Sequence, residues 1–148
     1  CGTGSVENEQ SYLPYRESFK MTVDRYEYST PNYNDWIYLD ETLQFLSSIG
    51  FKSVMHRLYE LADHLHQGLI ESGFRTFRKD KDEYKTAIIT FDHEQYTIES
   101  IQNALKQKNI VTAIRANRIR IAPHIYNSYE QIDTVIDALN KITLEKKV

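Results

Sequence analysis

The 148-residue sequence predicts an α+β fold, a two-layer small domain in which a mainly antiparallel four-stranded sheet carries helices packed on one face. Three observations lead there. Apolar residues recur at helical spacing, runs rich in β-branched residues lie between those stretches, and the runs come in pairs joined by short polar turns. In chain order the elements read α-α-β-β-α-β-β-α. Strands that follow one another through a short turn pair antiparallel, and helices returning between hairpins cover one sheet face.

Residues 1–20 are expected to form a flexible tail and connector, and residues 21–148 the small domain. The first ten residues offer Val6 as their one sizeable apolar side chain, too little burial to offset the entropy of ordering them. From Ser11 to Pro31 the aromatic residues follow no period and Pro14 and Pro31 break the chain, so an extended connector is expected. Asn34 or Asp35 is placed to cap a helix carrying Trp36, Ile37, Leu39, Leu43, Phe45 and Leu46, which Gly50 stops. The clearest helical stripe follows, with Val54, Leu58, Leu61, Leu65 and Leu69 on one face of a helix over 53–72 that ends at Gly73.

Beyond Gly73 the period changes. Phe74, Thr76 and Phe77 lead into the charged run Arg78–Glu83, and Thr86–Phe91 reads as a second strand. Thr97 caps a helix with Ile98, Ile101, Ala104 and Leu105 on one face, ending near Asn109, with Lys106 and Lys108 near its negative end. Ile110–Ile114 and Ile119–Ile121 form a hairpin around Ala116-Asn117, closed by Pro123. Ser128 and Gln131 make a capping-box pattern before Ile132, Val135, Ile136, Leu139 and Ile142.

Composition excludes several function classes. Eighteen Lys and Arg against 21 Asp and Glu leave a formal charge of −3, which gives no general attraction for nucleic acid or an anionic membrane surface. A single cysteine, Cys1, permits neither an internal disulfide nor a cysteine-based zinc site and suits a reducing, cytoplasmic setting. No apolar run approaches the roughly 20 residues of a membrane span.

Most candidate sites have an ordinary explanation. His56, Glu60 and His64 share a helix stripe, but eight residues at 1.5 Å each spread them over about 12 Å, so a solvated polar face explains them and no metal site is expected. Cys1 has no histidine near it in the chain, and Gly2-Thr3-Gly4-Ser5 lacks the strand and helix that frame a phosphate loop. The alternating charges of Arg78–Glu83 suit a solvated turn. Two segments are less ordinary. Arg25–Asn32 places hydroxyls in a proline-limited stretch that suits either a phosphate contact or a polar turn. In Ile119–His124, strand alternation turns Arg120 away from Ile119 and Ile121, and a strand-held arginine grips either a carboxylate or a surface ion-pair partner.

Taken together, Arg25-Tyr-Glu-Tyr-Ser-Thr-Pro-Asn32, Leu43–Leu46 with Ile49-Gly50, and Arg120-Ile-Ala-Pro-His-Ile-Tyr-Asn-Ser128 resemble the C-terminal small domain of class V aminotransferase-like enzymes dependent on pyridoxal 5′-phosphate (PLP). That group includes cysteine desulfurases, selenocysteine lyases and isopenicillin N epimerase-like proteins. The resemblance covers roughly residues 20–143. It implies that Thr30 reaches the cofactor phosphate of a partner subunit in a homodimer, and that Arg120 binds the carboxylate of an amino-acid substrate. Ser29 stands where the family usually has glycine, and Ala122 where it has serine. His124 falls on a family histidine to which no role is assigned.

The resemblance also implies what these residues do not contain. The family's catalytic lysine, the aspartate that pairs with the pyridine nitrogen and the group stacked on the ring belong to a large PLP-binding domain. No catalytic residue is assigned here, and neither Lys20 nor Lys85 carries a marking motif. The desulfurase branch has a nucleophilic cysteine before its carboxylate-binding strand, and Ile110–Arg118 has none, which disfavours persulfide chemistry. The expected function is therefore the C-terminal portion of a transferase-like PLP enzyme, inactive without its large domain. An alternative of another class is a non-catalytic, stand-alone interaction or small-ligand-binding domain.

Overall fold

In the computed structural model, which describes residues 3–10, 18–27, 29–78 and 85–144, the elements follow the predicted order. They are α1 (Tyr33–Ile49), α2 (Phe51–Glu71), β1 (Arg75–Thr76), β2 (Ile89–Asp92), α3 (Ile98–Gln107), β3 (Ala113–Arg115), β4 (Arg118–Ile121) and α4 (Tyr129–Leu144), with short 3₁₀ turns at Thr3–Ser5 and Val23–Tyr26. The chain divides into two compact units between Ser48 and Ile49.

In the first unit, Val6 pairs in an isolated antiparallel bridge with Phe19, and Ser5 Oγ donates to the Glu27 carbonyl at 2.8 Å. Gly4 permits that approach, because a Cβ there would lie 2.8 Å from the Glu27 oxygen. Ser5 and Val6 are consequently buried. Cys1, Gly2 and the stretch 11–17, with Pro14, lie outside the described residues. The cap of α1 sits two residues earlier than the spacing predicts. Asn32 Oδ1 accepts from the Asp35 amide at 3.3 Å while its Nδ2 donates to Asp35 Oδ2 at 2.7 Å. Pro31 fixes the chain direction just before, so the first side chain able to close the exposed turn is Asn32. Gly50 ends the helix at φ 91°, as predicted. No residue of α1 is buried.

The second unit holds the sheet. Its strand order is β1-β2-β4-β3, every neighbouring pair antiparallel. Ile89, Phe91 and Ile119 point from the sheet into a core completed by Leu61, Leu65 and Leu69 of α2, Ile101 and Leu105 of α3, and Leu139 of α4. Helix stops use the same device twice. At the end of α2, Gly73 at φ 84° lets the Phe74 amide reach back to the Leu69 carbonyl. At the end of α3, Asn109 at φ 58° does the same for Ile110 and Leu105. The caps at Thr97 and Ser128 form as predicted: Thr97 Oγ1 accepts from the Ser100 amide, and Ser128 and Gln131 exchange reciprocal bonds.

Two strands are shorter than predicted. Ile110 is drawn into the α3 stop, so β3 begins at Ala113, where Arg120 becomes its partner. β2 begins at Ile89 because its pairing with β4 runs only from Ile121 to Ile119, and the Ile88 amide turns back to Thr86 Oγ1. Ala116 and Asn117 join β3 to β4 with φ of 48° and 56°, the left-handed pair of a two-residue hairpin. Of the charged run, residues 79–84 lie outside the described residues. Its flanks are anchored: Arg78, largely buried, and Lys85 both pair with Asp63 of α2, at 2.6 and 3.1 Å.

Gly68 lets α2 approach α4 closely, since a Cβ there would meet Ile136 Cδ1 at 2.2 Å. Gly68→Ala should therefore destabilise the chain by about 1–2 kcal/mol in urea unfolding, overpacking outweighing the helix propensity gained. The penalty should shrink when Ile136 is shortened to Ala in the same chain.

Candidate functional site

Arg120 stands on β4, a strand hydrogen-bonded on both sides. Register places Thr90 of β2 and Ala113 of β3 directly across from it. Side chains opposite one another in a sheet share a face, so the guanidinium is flanked by two small residues rather than by bulk or by an acid. Asp92, two positions from Thr90 on β2, shares that face, and it is occupied. Arg75 Nε lies 2.8 Å from Asp92 Oδ1, and Arg118 Nε lies 3.8 Å from Oδ2. Arg118 is held in turn over the Phe77 ring, 3.4 Å from its centroid. Among the described residues Arg120 makes no ion pair, the opposite of the surface pair its strand position also allows.

Arg120 lines a cavity of about 580 Å³ at the end of the β3–β4 hairpin, together with Lys108, Thr112, Pro123, Asn127 and Val135. The loop closing it is built, not loose. The His124 amide donates to Asn127 Oδ1 at 2.8 Å, the Asn127 amide returns to the His124 carbonyl, and Asn127 Nδ2 donates to Gln131 Oε1. Arg57 of α2 reaches across to the Asn127 carbonyl at 3.2 Å with its guanidinium over the Tyr129 ring. Nothing in the sequence marks Arg57 for this task, because its partner is 70 residues away. His124 itself is exposed and stacks on Tyr126.

Thr30 belongs to the first unit. It is exposed, in a bend one residue before Pro31 and two before the cap of α1, and forms no hydrogen bond among the described residues. A hydroxyl beside a helix N-terminus suits a phosphate oxygen. As a fit to PLP this is one contact. Lys20 and Lys85 are both occupied. Lys20 bonds to Glu9 at 3.0 Å, which raises its pKa, the reverse of what a nucleophilic amine requires, and Lys85 pairs with Asp63.

The histidine stripe on α2 does not converge. His56 pairs with Glu60 at 3.4 Å, while His64 turns to Asp133 of α4 at 2.6 Å. Among the described residues no group of three or more metal-ligating side chains comes together, and no helix is long and apolar enough to cross a membrane. A second polar cleft, of about 360 Å³, contains Arg75, Asp92, His93 and Tyr96 at the start of α3.

The family model described as aminotransferase class-V matches residues 2–135. A kynureninase from Geobacillus thermodenitrificans is 25% identical over 150 residues, spanning 97% of this chain and 35% of its own length. Two solved structures share the fold, each at 17% identity. The apo cysteine desulfurase of Thermococcus onnurineus superposes with a TM-score of 0.76 over 96% of this chain, and a cysteine desulfurase of Escherichia coli with 0.75 over 97%. This chain spans 38% of each desulfurase.

Burial lowers the pKa of His93, Arg75 lowers it further, and Glu94 and Asp92 oppose them. Its Nδ1 accepts from the Gln95 amide at 3.0 Å, a bond that protonation destroys. In the unfolded chain the imidazole titrates near 6.5. As pH falls through that value the unfolded state gains a proton that the folded state resists, so stability drops until the lower folded pKa is passed. His93→Gln should flatten the decline in melting temperature between pH 7.5 and 5; an unchanged slope would assign the decline to other groups.

Proposed function

This chain belongs to the class-V aminotransferase family, and we propose that it contributes to a PLP-dependent enzyme by binding the carboxylate of an amino-acid substrate through Arg120. One observation carries the reading. Arg120 lines a cavity with no anionic partner among the described residues, while the acid on its own sheet face is held by Arg75 and Arg118. A guanidinium on a rigid strand presents two parallel donors to a carboxylate and fixes the orientation of the bound acid.

Thr30 is proposed to hold the phosphate of PLP in a homodimer, its hydroxyl donating to a phosphate oxygen beside the positive end of α1. PLP when bound withdraws electrons from the substrate's α-carbon. The residues of this chain bind and orient. The amine and the ring-nitrogen partner come from a large domain, consistent with a chain that spans 38% of its solved relatives. α1 is the surface such a domain would cover: Trp36, Ile37 and Phe45 are each at least 60% exposed, an arrangement unusual for a surface helix with no partner. The setting proposed is the cytoplasm.

Within the family, the hairpin argues against persulfide chemistry. β3 and β4 are joined by Ala116 and Asn117 alone, which leaves no loop to carry a nucleophilic cysteine to the carboxylate strand. A transamination, epimerisation or elimination chemistry fits this hairpin better.

Titrating the chain with propionate should shift the amide resonances of residues 119–122. Arg120→Gln should weaken binding by tenfold or more, about the strength of a charge-assisted hydrogen-bond pair, and Arg120→Lys should restore only part of it. Binding that is indifferent to Arg120→Gln would remove the assignment. The purified chain with added PLP should not turn over amino acids, and sustained turnover would show that the lysine is within it.

A further inference from the structure

The cavity beside Arg120 is larger than one carboxylate requires, and the charge of its wall is uneven. Lys108 and Arg120 both line it, and among the described residues no Asp, Glu or His does, although the chain as a whole carries a net negative charge. Lys108 caps the C-terminal end of α3, so it is held at the cavity mouth by a helix stop in which Asn109 and Ile110 are fixed by backbone bonds to Lys106 and Leu105.

A third group points the same way. Thr112 lines the same cavity, and its hydroxyl oxygen is buried with no hydrogen-bond partner among the described residues. Buried hydroxyls nearly always have a partner, so one without invites a ligand atom. Asn127 of the loop and Thr134 of α4, which also line the cavity, have their own partners. Asn127 spends its amide on Gln131 and its carbonyl on the His124 amide, and Thr134 donates back to the Glu130 carbonyl.

We propose that this cavity binds an acid with two carboxylates, one on Arg120 and the second on Lys108 and the Thr112 hydroxyl, so that the amino-acid substrate is a dicarboxylic one. This rests on the carboxylate role of Arg120 and adds the chemistry of the substrate's far end. Lys108 and Thr112 are specificity determinants: they touch the part of the ligand that does not react.

The test compares diacids with their own monoamides on the full chain, by amide chemical-shift titration. Succinate, glutarate and adipate are each set against the corresponding monoamide, which keeps length and one carboxylate while removing the second charge. At least one diacid should bind about tenfold tighter than its monoamide, the worth of one added charge-assisted hydrogen bond. Lys108→Gln should bring that ratio to about one by weakening diacid binding far more than monoamide binding. Thr112→Val, nearly the same shape, should reduce the ratio several-fold. Lys108 is exposed, so its variant should fold, and far-UV circular dichroism verifies this. A ratio of one for all three diacids, or a preference that survives Lys108→Gln, overturns the proposal. In either case monoamide binding that disappears in Arg120→Gln leaves the carboxylate role standing. Absence of any Arg120-dependent binding removes both.

Discussion

Ile119 lies wholly buried between the sheet and its helices, packed with Ile89 and Phe91 of the neighbouring strand. That contact fixes β4 in register with β2 and β3. Side chains alternate along a strand, so sliding β4 by one residue would turn Arg118 and Arg120 into the core and put Ile119 and Ile121 in water. An unpaired guanidinium in that core is far more costly than the loss of any single apolar contact. The outward-facing, half-buried position of Arg120 is therefore a consequence of where its neighbour is buried. Hydrogen bonding on both sides then holds its backbone rigid, which a residue in a loop would not share.

The outer face of the sheet divides its charges. Asp92 is the acid within reach, and Arg75 and Arg118 share it while Phe77 supports Arg118 from below. Exposed ion pairs of this kind contribute little to stability. Their effect here is allocation: an aspartate already held by two guanidinium groups does not draw a third. Thr90 and Ala113, opposite Arg120, complete the arrangement by being small. The cavity wall then depends on a loop tied to α2 through Arg57 and Asn127, so helix packing and site geometry are coupled.

The first unit is organised differently. Its α1 has no buried residue, and its apolar side chains resemble an interface more than a core. Solved structures that share the fold are longer, this chain spanning 38% of each, and the large domain proposed above would cover that surface. The small domain's own stability comes instead from α2, α3 and α4 over one face of the sheet. Arg75, Asp92 and Arg118 pair on the other face.

Local pattern settled much of this protein in advance. The spacing of Val54, Leu61, Leu65 and Leu69, the caps at Thr97 and Ser128, the stop at Gly73 and the turn at Ala116-Asn117 are all readable from neighbours in the chain, because helix periodicity, capping and tight turns are local physics. The candidate residues Thr30 and Arg120 were legible as well, through their motifs. The sequence could not reveal that Asn32 rather than Asn34 caps α1, that β3 starts only where Arg120 meets Ala113, or that Arg78 is buried against Asp63. Nor could it bring Lys108 and Thr112 to the same cavity as Arg120, or tie Arg57 to Asn127. The Asn32 cap is local, but Arg57 meets Asn127 across 70 residues, and the strand and cavity contacts likewise join separate elements. Such contacts are decided by strand order and helix packing, which place side chains together only once the whole domain has closed around its core.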